Sequence, residues 1–420
     1  MDEFNRIDGE LCCERVGLAA LAERWGTPLY VYSRATLVRH FNVFDAAFEG
    51  AQRRICYSVK ANSSRALMKL LFEMGAGADV VSGGELRRAL AAGVDPGSVV
   101  YSGVGKTPAE LALALQAGIL MFNVESAGEL EALAAASRDA GRTARIAIRV
   151  NPDVDPRTHP HVATGLRGSK FGVDAGGALE LCERARRLGG LEVAGVDCHI
   201  GSQLVELGPF TEATARLGEL IAELRRRGFE IGYLDLGGGL GIPYGGEQPP
   251  RPSEYARAVR EALGETGVEL ILEPGRNLMG NAGVLLARVL YVKRSGEKRF
   301  AVVDAGMNDL IRPALYDSYH GVEPVCGDRG RPRETIDVVG PICESADYLA
   351  RDRSLPALEP GDLLAVMSAG AYGFSMASTY NSRPLPAEVL VDGDRAALIR
   401  ERGTDEDLTR GERDAVFDSV

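Results

Sequence analysis

The first residue able to do covalent chemistry is Lys60, which closes an apolar run in Ile55-Cys56-Tyr57-Ser58-Val59-Lys60-Ala61-Asn62. Three further strings follow apolar runs in the same way: His-Ile-Gly-Ser at 199–202, Gly-Gly-Gly at 237–239 and Glu-Pro-Gly-Arg at 273–276. Together they offer an amine, N–H and hydroxyl donors for a phosphate, and an acid for a ring nitrogen. That is the equipment of a pyridoxal phosphate (PLP) Schiff base. Each piece alone has an ordinary explanation. A strand lysine is usually an edge residue, and a lone His199 is commonly a satisfied core histidine. Gly237–Gly241 could be a plain turn, and Glu273 with Arg276 a surface ion pair.

Other motifs carry less. Gly237–Gly241 is not a dinucleotide fingerprint, because position 244 is Tyr. Gly105-Lys106-Thr107 resembles the end of a phosphate-binding loop, but position 100 is Val where glycine is needed. His159-Pro160-His161 has no neighbours that complete a ligand set, so no metal is expected.

The elements that must position these residues are legible from about residue 54. Short apolar runs at 55–60, 79–82, 98–103, 120–125, 145–151, 192–200, 233–239 and 269–275 alternate with amphipathic stretches at 63–74, 83–92, 108–117, 126–140, 175–189, 209–227 and 253–266. The alternation predicts an α/β fold with a (β/α)8 TIM-type barrel; an open doubly wound sheet is the competitor. The barrel is favoured because Lys60, Ser82, Gly103, Glu125, Asn151, His199, Gly239 and Glu273 close the strands, and barrel strand tips converge on one mouth. The long loop 151–172 falls on that face. Beyond residue 283, runs at 284–294, 299–304, 335–340, 362–367, 387–391 and 396–400 read as strands. Residues 7–18 and 28–32 are also strand-like and can join them. The expected division is a barrel over 30–283 and a mostly β domain, sandwich- or barrel-like, over 1–29 and 284–420. The charged tail 401–420 reads as a solvated end.

Composition bounds the partners. The chain has 420 residues, 45% apolar and 25% charged, with a net charge of −11. No basic run exceeds Arg225-Arg226-Arg227, which argues against nucleic acid. Seven scattered cysteines without a Cys-x-x-Cys suit reduced thiols in a cytoplasmic protein. The acidic start and the absence of a long apolar stretch leave no signal peptide or membrane span to expect.

The strings YSVKAN (57–62), DVVSGGEL (79–86), RVNP (149–152), HIGSQ (199–203), GGGLGIPY (237–244), EPGR (273–276), DAGMNDLIRPALYDSYH (304–320), GPICES (340–345) and GAYGFSMASTYNSRP (370–384) run through nearly the whole chain. In that order they resemble the alanine-racemase-type (fold type III) PLP-dependent decarboxylases, and within them the diaminopimelate decarboxylase family.

The resemblance implies roles. Lys60 would carry the cofactor, His199 would stack on its ring and Glu273 would face the pyridine nitrogen. Ser202, Gly238, Gly239, the backbone of Pro274, Gly275 and Arg276, and Tyr372 would hold the phosphate, with Asp79 and Arg149 also among the cofactor-binding residues. Arg276, Arg312 and Tyr316 would bind the substrate's distal carboxylate, Glu344 its distal ammonium, and Tyr372 would also lie by the substrate. Cys343 would protonate the carbanion. Cys343 and Glu344 would come from the partner of a homodimer.

The implied reaction is decarboxylation of meso-2,6-diaminopimelate to L-lysine, the last step of lysine biosynthesis. Two arginines and an acid suit a distal carboxylate and ammonium. Ornithine has no second carboxylate, so Arg276 and Arg312 would lack a partner. The rivals are a decarboxylase of another basic or carrier-bound amino acid, a racemase of the same barrel type, and a PLP-binding regulator, which should have lost Lys60 or Cys343.

Overall fold

The computed structural model describes residues 2–155, 169–328 and 330–415. It divides into two compact units, Leu37–Gly280, and Met1–Thr36 together with Asn281–Val420.

The chain opens with strands β1 (Phe4–Ile7), β2 (Glu10–Cys13) and β3 (Val16–Gly17), helix α1 (Leu18–Trp25) and β4 (Leu29–Ser33). Of the two opening segments read as strand-like, only 28–32 joins the later strands. β1, β2 and β3 make an antiparallel sheet of their own. Their turns are tight, with Asp8, Gly9 and Glu14 at positive φ, so the chain pairs locally before reaching another sheet.

The barrel unit runs α2 (Arg34–Ala47), β5 (Arg53–Ser58), α3 (Arg65–Glu73), β6 (Gly77–Val80), α4 (Gly83–Ala91), β7 (Val99–Tyr101), α5 (Pro108–Ala117), β8 (Met121–Val124), α6 (Ala127–Ala140), β9 (Ala144–Arg149), α7 (Ala175–Leu188), β10 (Leu191–Asp197), α8 (Gly208–Arg226), β11 (Tyr233–Asp235), α9 (Pro252–Leu263), β12 (Glu269–Leu272) and α10 (Arg276–Met279). Strands β5 to β12 are parallel and close on themselves through β12 and β5. Both faces of such a strand are covered, which is why each read as a nearly continuous apolar run. Cys56, Val100, Met121, Ala147 and Ile271 pack together inside. On the outside, Phe44 and Phe48 of the α2 region meet Tyr255 of α9, whose ring lies 4.7 Å from Phe210 of α8.

Helix caps fix the strand tips. Ser82, Thr107, Ser126 and Asp174 each accept an N–H in the first turn of α4, α5, α6 and α7. Ser82 and Ser126 follow their strands by two residues, which leaves little slack at those strand tips. Ser82, read as chemically loaded, serves here as a cap.

In the β unit follow β13 (Gly283–Ser295), β14 (Lys298–Val303), α11 (Arg312–Tyr316), β15 (Val322–Pro324), β16 (Arg333–Val339), β17 (Tyr348–Pro356), β18 (Leu363–Val366), β19 (Ala387–Asp392), β20 (Arg395–Arg400) and α12 (Asp405–Thr409). The sheet order is β17-β16-β14-β13-β4-β19-β20, with β18 on β13 and β15 on β18. β13 pairs β4 and β18 through its first half and β14 through its second. The register shifts between Val289 and Tyr291. Leu29, Val31, Val284, Leu286, Val389 and Val391 form its core with Leu11, Leu18 and Leu21. Among the described residues no helix is long and apolar enough to cross a membrane.

Candidate active site

Strand β5 ends at Ser58, and a single 3-10 turn over Val59–Ala61 lifts Lys60 onto the barrel mouth. Its Nζ donates to Asp79 Oδ2 at the end of β6. The Ser58 hydroxyl donates to the same oxygen at 2.8 Å. Burial pushes the Asp79 carboxyl up, but the Lys60 ammonium and these hydrogen bonds outweigh it and hold the group below its ordinary value. Asp79 Oδ1 is buried without a hydrogen-bond partner among the described residues.

A second charged group faces Lys60. Arg149, at the end of β9, donates to Glu125 Oε1 at 3.0 Å and lies 3.7 Å from Asp197 Oδ2. Its guanidinium sits over the Phe171 ring at 4.8 Å. Glu125 in turn accepts from Gly103 N at 3.0 Å and Gly172 N at 3.1 Å. Lys106 stands behind this wall. It is fully buried and donates to Gly103 O, Asn123 O and Glu129 Oε1, so it ties loops rather than binding phosphate. Lys60, Ser102, Arg149, Phe171, His199 and Glu273 line a cavity of about 390 Å³.

Asp197 and Glu273 line that cavity, and Asp79, Glu125 and Asp235 are buried at the same barrel end. Burial and the neighbouring carboxylates, Asp235 foremost, push Glu273 well up. Burial and Asp235 do the same to Asp197. Asp235 rises to about 6, again chiefly through burial. His199 goes the other way, down to about 3, through burial and the positive charges of Arg149 and Lys60. It is therefore neutral at physiological pH, and the N–H of Gly238 donates to its Nδ1 at 3.2 Å.

The loops after β10, β11 and β12 form a glycine-lined cradle. A Cβ on Gly238 would stand 2.3 Å from the Glu273 carbonyl oxygen. Gly239 has φ +111 and a Cβ there would stand 2.5 Å from the Gly201 carbonyl oxygen. Only glycine fits such backbone-to-backbone approaches. Pro274 precedes Gly275, whose added Cβ would meet Ser58 Cβ at 2.9 Å. Arg276 opens α10. It donates through Nε and Nη2 to Ser202 Oγ at 3.3 and 3.1 Å and through Nη1 to the Tyr244 hydroxyl at 2.6 Å. It is buried, not the surface ion pair of the bland reading.

The remaining sequence-predicted residues belong to the β unit. Arg312 is buried at the start of α11, its Nε donating to His320 Nε2 and its Nη2 to Ser318 Oγ, both at 3.3 Å. Tyr316 ends the same helix. Tyr372 is half-buried with φ +56. Cys343 and Glu344 lie on an exposed loop after β16. Asn381 Oδ1 accepts the Cys343 N–H at 2.9 Å, and the Tyr380 hydroxyl donates to Glu344. Residues 159–161 fall outside the described residues. Asn151 is used locally, its side chain accepting the Asp153 N–H.

These observations fit PLP. Among the described residues the buried acids outnumber Lys60 and Arg149, the cations that reach them, and a protonated ring nitrogen supplies a further positive charge. The cradle excludes Cβ atoms where a phosphate needs backbone donors. Sequence reasoning missed Ser58, Ser102, Asn123, Asp197, Asp235 and Tyr244. The first five were visible as polar residues inside otherwise apolar strand runs.

Comparison with known proteins agrees. The family described as pyridoxal-dependent decarboxylase, pyridoxal binding domain, matches residues 34–280. The diaminopimelate decarboxylase of Vibrio cholerae is 52% identical over 96% of both chains. That of Pseudomonas aeruginosa is 51% identical, covering 98% of this chain and 99% of its own. Among solved structures, the Helicobacter pylori diaminopimelate decarboxylase complexed with L-lysine has a TM-score of 0.91 at 41% identity, covering 94% of this chain and 98% of that one. The enzyme of M. jannaschii has a TM-score of 0.94 at 39% identity, covering 98% of each chain. The chain belongs to the diaminopimelate decarboxylase family of pyridoxal-dependent decarboxylases.

Proposed function

We propose that this chain decarboxylates meso-2,6-diaminopimelate to L-lysine and carbon dioxide with PLP, the last step of lysine biosynthesis. The observation that carries the reading is the meeting of Lys60, His199 and Glu273 at one barrel mouth, in a chain about half identical to diaminopimelate decarboxylases along its length. The chemistry such a cofactor supplies when bound is an electron sink for the carbanion left by a departing carboxylate.

The chain's own groups do the rest. Lys60 Nζ, held by Asp79, is the amine that carries the cofactor. Glu273 would serve the ring nitrogen and His199 the ring face, and Arg149 lines the same cavity as Lys60. Ser202, Gly238, Gly239, Pro274, Gly275, Arg276 and Tyr372 would hold the phosphate. Arg276, Arg312 and Tyr316 receive the distal carboxylate, Glu344 the distal ammonium, and Tyr372 also borders the substrate. Cys343 Sγ would be the proton donor to the carbon that loses its carboxylate.

The working unit is a homodimer in which Cys343 and Glu344 serve the partner's barrel. Their exposure on a loop of the single chain supports this, because a proton donor must be shielded from water when it acts. Seven unpaired thiols suit a cytoplasmic setting.

The test is carbon dioxide release with PLP and a panel of meso-diaminopimelate, L-ornithine, L-arginine and L-lysine. Release from diaminopimelate alone supports the reading. Release from L-ornithine or L-arginine instead would overturn the roles of Arg276 and Arg312.

A further inference from the structure

Behind the cofactor-facing acid lies a hydrogen-bonded strap that none of the roles above uses. Asn123, fully buried on β8, donates through Nδ2 to Ser102 Oγ at 3.0 Å and to Asp235 Oδ2 at 3.1 Å. The amide cannot be turned round, because its carbonyl would then face a carboxylate. Its Oδ1 has no partner among the described residues, so the side chain is placed for its donors. Asp235 Oδ1 also accepts the Gly237 N–H at 2.9 Å. Glu273 has a poorer supply: the Ser102 hydroxyl reaches its Oε1 only at 3.5 Å.

We propose that Asn123 is a positioning residue: with the Gly237 N–H it holds Asp235 in its ionised form, and the charge so fixed keeps a proton on Glu273, loaded for the cofactor's ring nitrogen. The inference rests on the PLP reading of the site. The proton balance closes without solvent. A neutral Glu273 and a neutral ring nitrogen become a carboxylate and a pyridinium, and the Asp235 charge is unchanged. The other titratable groups around Glu273 are the carboxyls of Asp79 and Asp197 and the cations of Lys60 and Arg149. Burial, then Asp235 and these acids, favour the neutral form of Glu273.

The test is infrared difference spectroscopy on the full chain, purified free of cofactor and then given PLP at neutral pH. The difference spectra should show one protonated-carboxyl stretch that is present before PLP, is missing from Glu273→Gln, and disappears when PLP binds. In Asn123→Ala, where Asp235 has lost a donor, the stretch should persist after PLP binds. Asp235→Asn removes the neighbouring negative charge, so the Glu273 stretch should be lost at a lower pH than in the unmodified chain; this variant decides the matter if Asn123→Ala does not fold. PLP uptake without loss of the stretch in the unmodified chain, or Asn123→Ala behaving as the unmodified chain does, overturns the proposal alone. No visible absorbance on adding PLP overturns the cofactor reading itself.

Discussion

Replacing Arg149 by Met removes the cation that two buried acids share. The guanidinium is nearly enclosed, 3.0 Å from Glu125 and 3.7 Å from Asp197, and both acid side chains are 2% exposed. Breaking a buried pair by deleting one partner costs roughly 3–5 kcal/mol. Two features place this case at the lower end. Glu125 keeps the N–H groups of Gly103 and Gly172. Asp197, already pushed up by burial and Asp235, can take a proton instead of remaining an unpaired anion.

The expected loss is about 3 kcal/mol, or roughly 6–12 °C in the barrel's melting temperature at about 2–4 °C per kcal/mol. The sign of the pH dependence follows. Without Arg149, which lowers it, the Asp197 carboxyl is raised further in the folded variant, so the native state binds a proton that the unfolded chain does not, and stability falls as pH rises. The gap between unmodified protein and variant should widen from about pH 6 to about pH 8. Scanning calorimetry at the two pH values measures both quantities. A loss below about 1 kcal/mol, the range of exposed pairs, or a gap unaffected by pH would refute the reasoning.

Other perturbations probe the rest of the site. Gly238→Ala puts a Cβ against the Glu273 carbonyl and should weaken PLP binding by about tenfold or more, read by fluorescence titration; unchanged affinity would show the cradle to be looser than its geometry. His199 should stay neutral to about pH 3 in the folded protein, as nitrogen NMR of the ring can check. Because it charges near 6.5 when unfolded, it should withdraw stability as pH falls from about 6.5 toward 3. Cys343→Ala should keep the PLP absorbance and lose most turnover; full activity would remove Cys343 as proton donor. Mixing inactive Cys343→Ala with inactive Lys60→Ala should restore roughly a quarter of the original activity if two-fold dimers form with shared sites. No recovery after subunit exchange would refute the sharing.

The barrel was legible because parallel strands buried on both faces leave apolar runs with little alternation. The runs were read slightly long at their C-terminal ends. The run 55–60 stops as a strand at Ser58, because Val59–Ala61 turns to present Lys60. Strands β15 and β17 were not visible. β17 carries Arg351, Asp352 and Arg353 in succession, and β15 is only three residues long. Helix α2 was missed as well. The covalent and cradle residues stood out because they follow strands. Asn123, Asp197 and Asp235 did not, because one polar residue in an apolar run carries no sign of the partner it meets across the barrel.

The central claim is that Lys60 at this barrel mouth carries the decarboxylation of meso-diaminopimelate. The direct measurement is L-lysine and carbon dioxide formed by the purified chain and by Lys60→Ala, each given PLP and meso-diaminopimelate. The account requires both products in equal amounts from the unmodified chain and neither from the variant. Undiminished release from Lys60→Ala, or none from the unmodified chain with PLP bound, would contradict it.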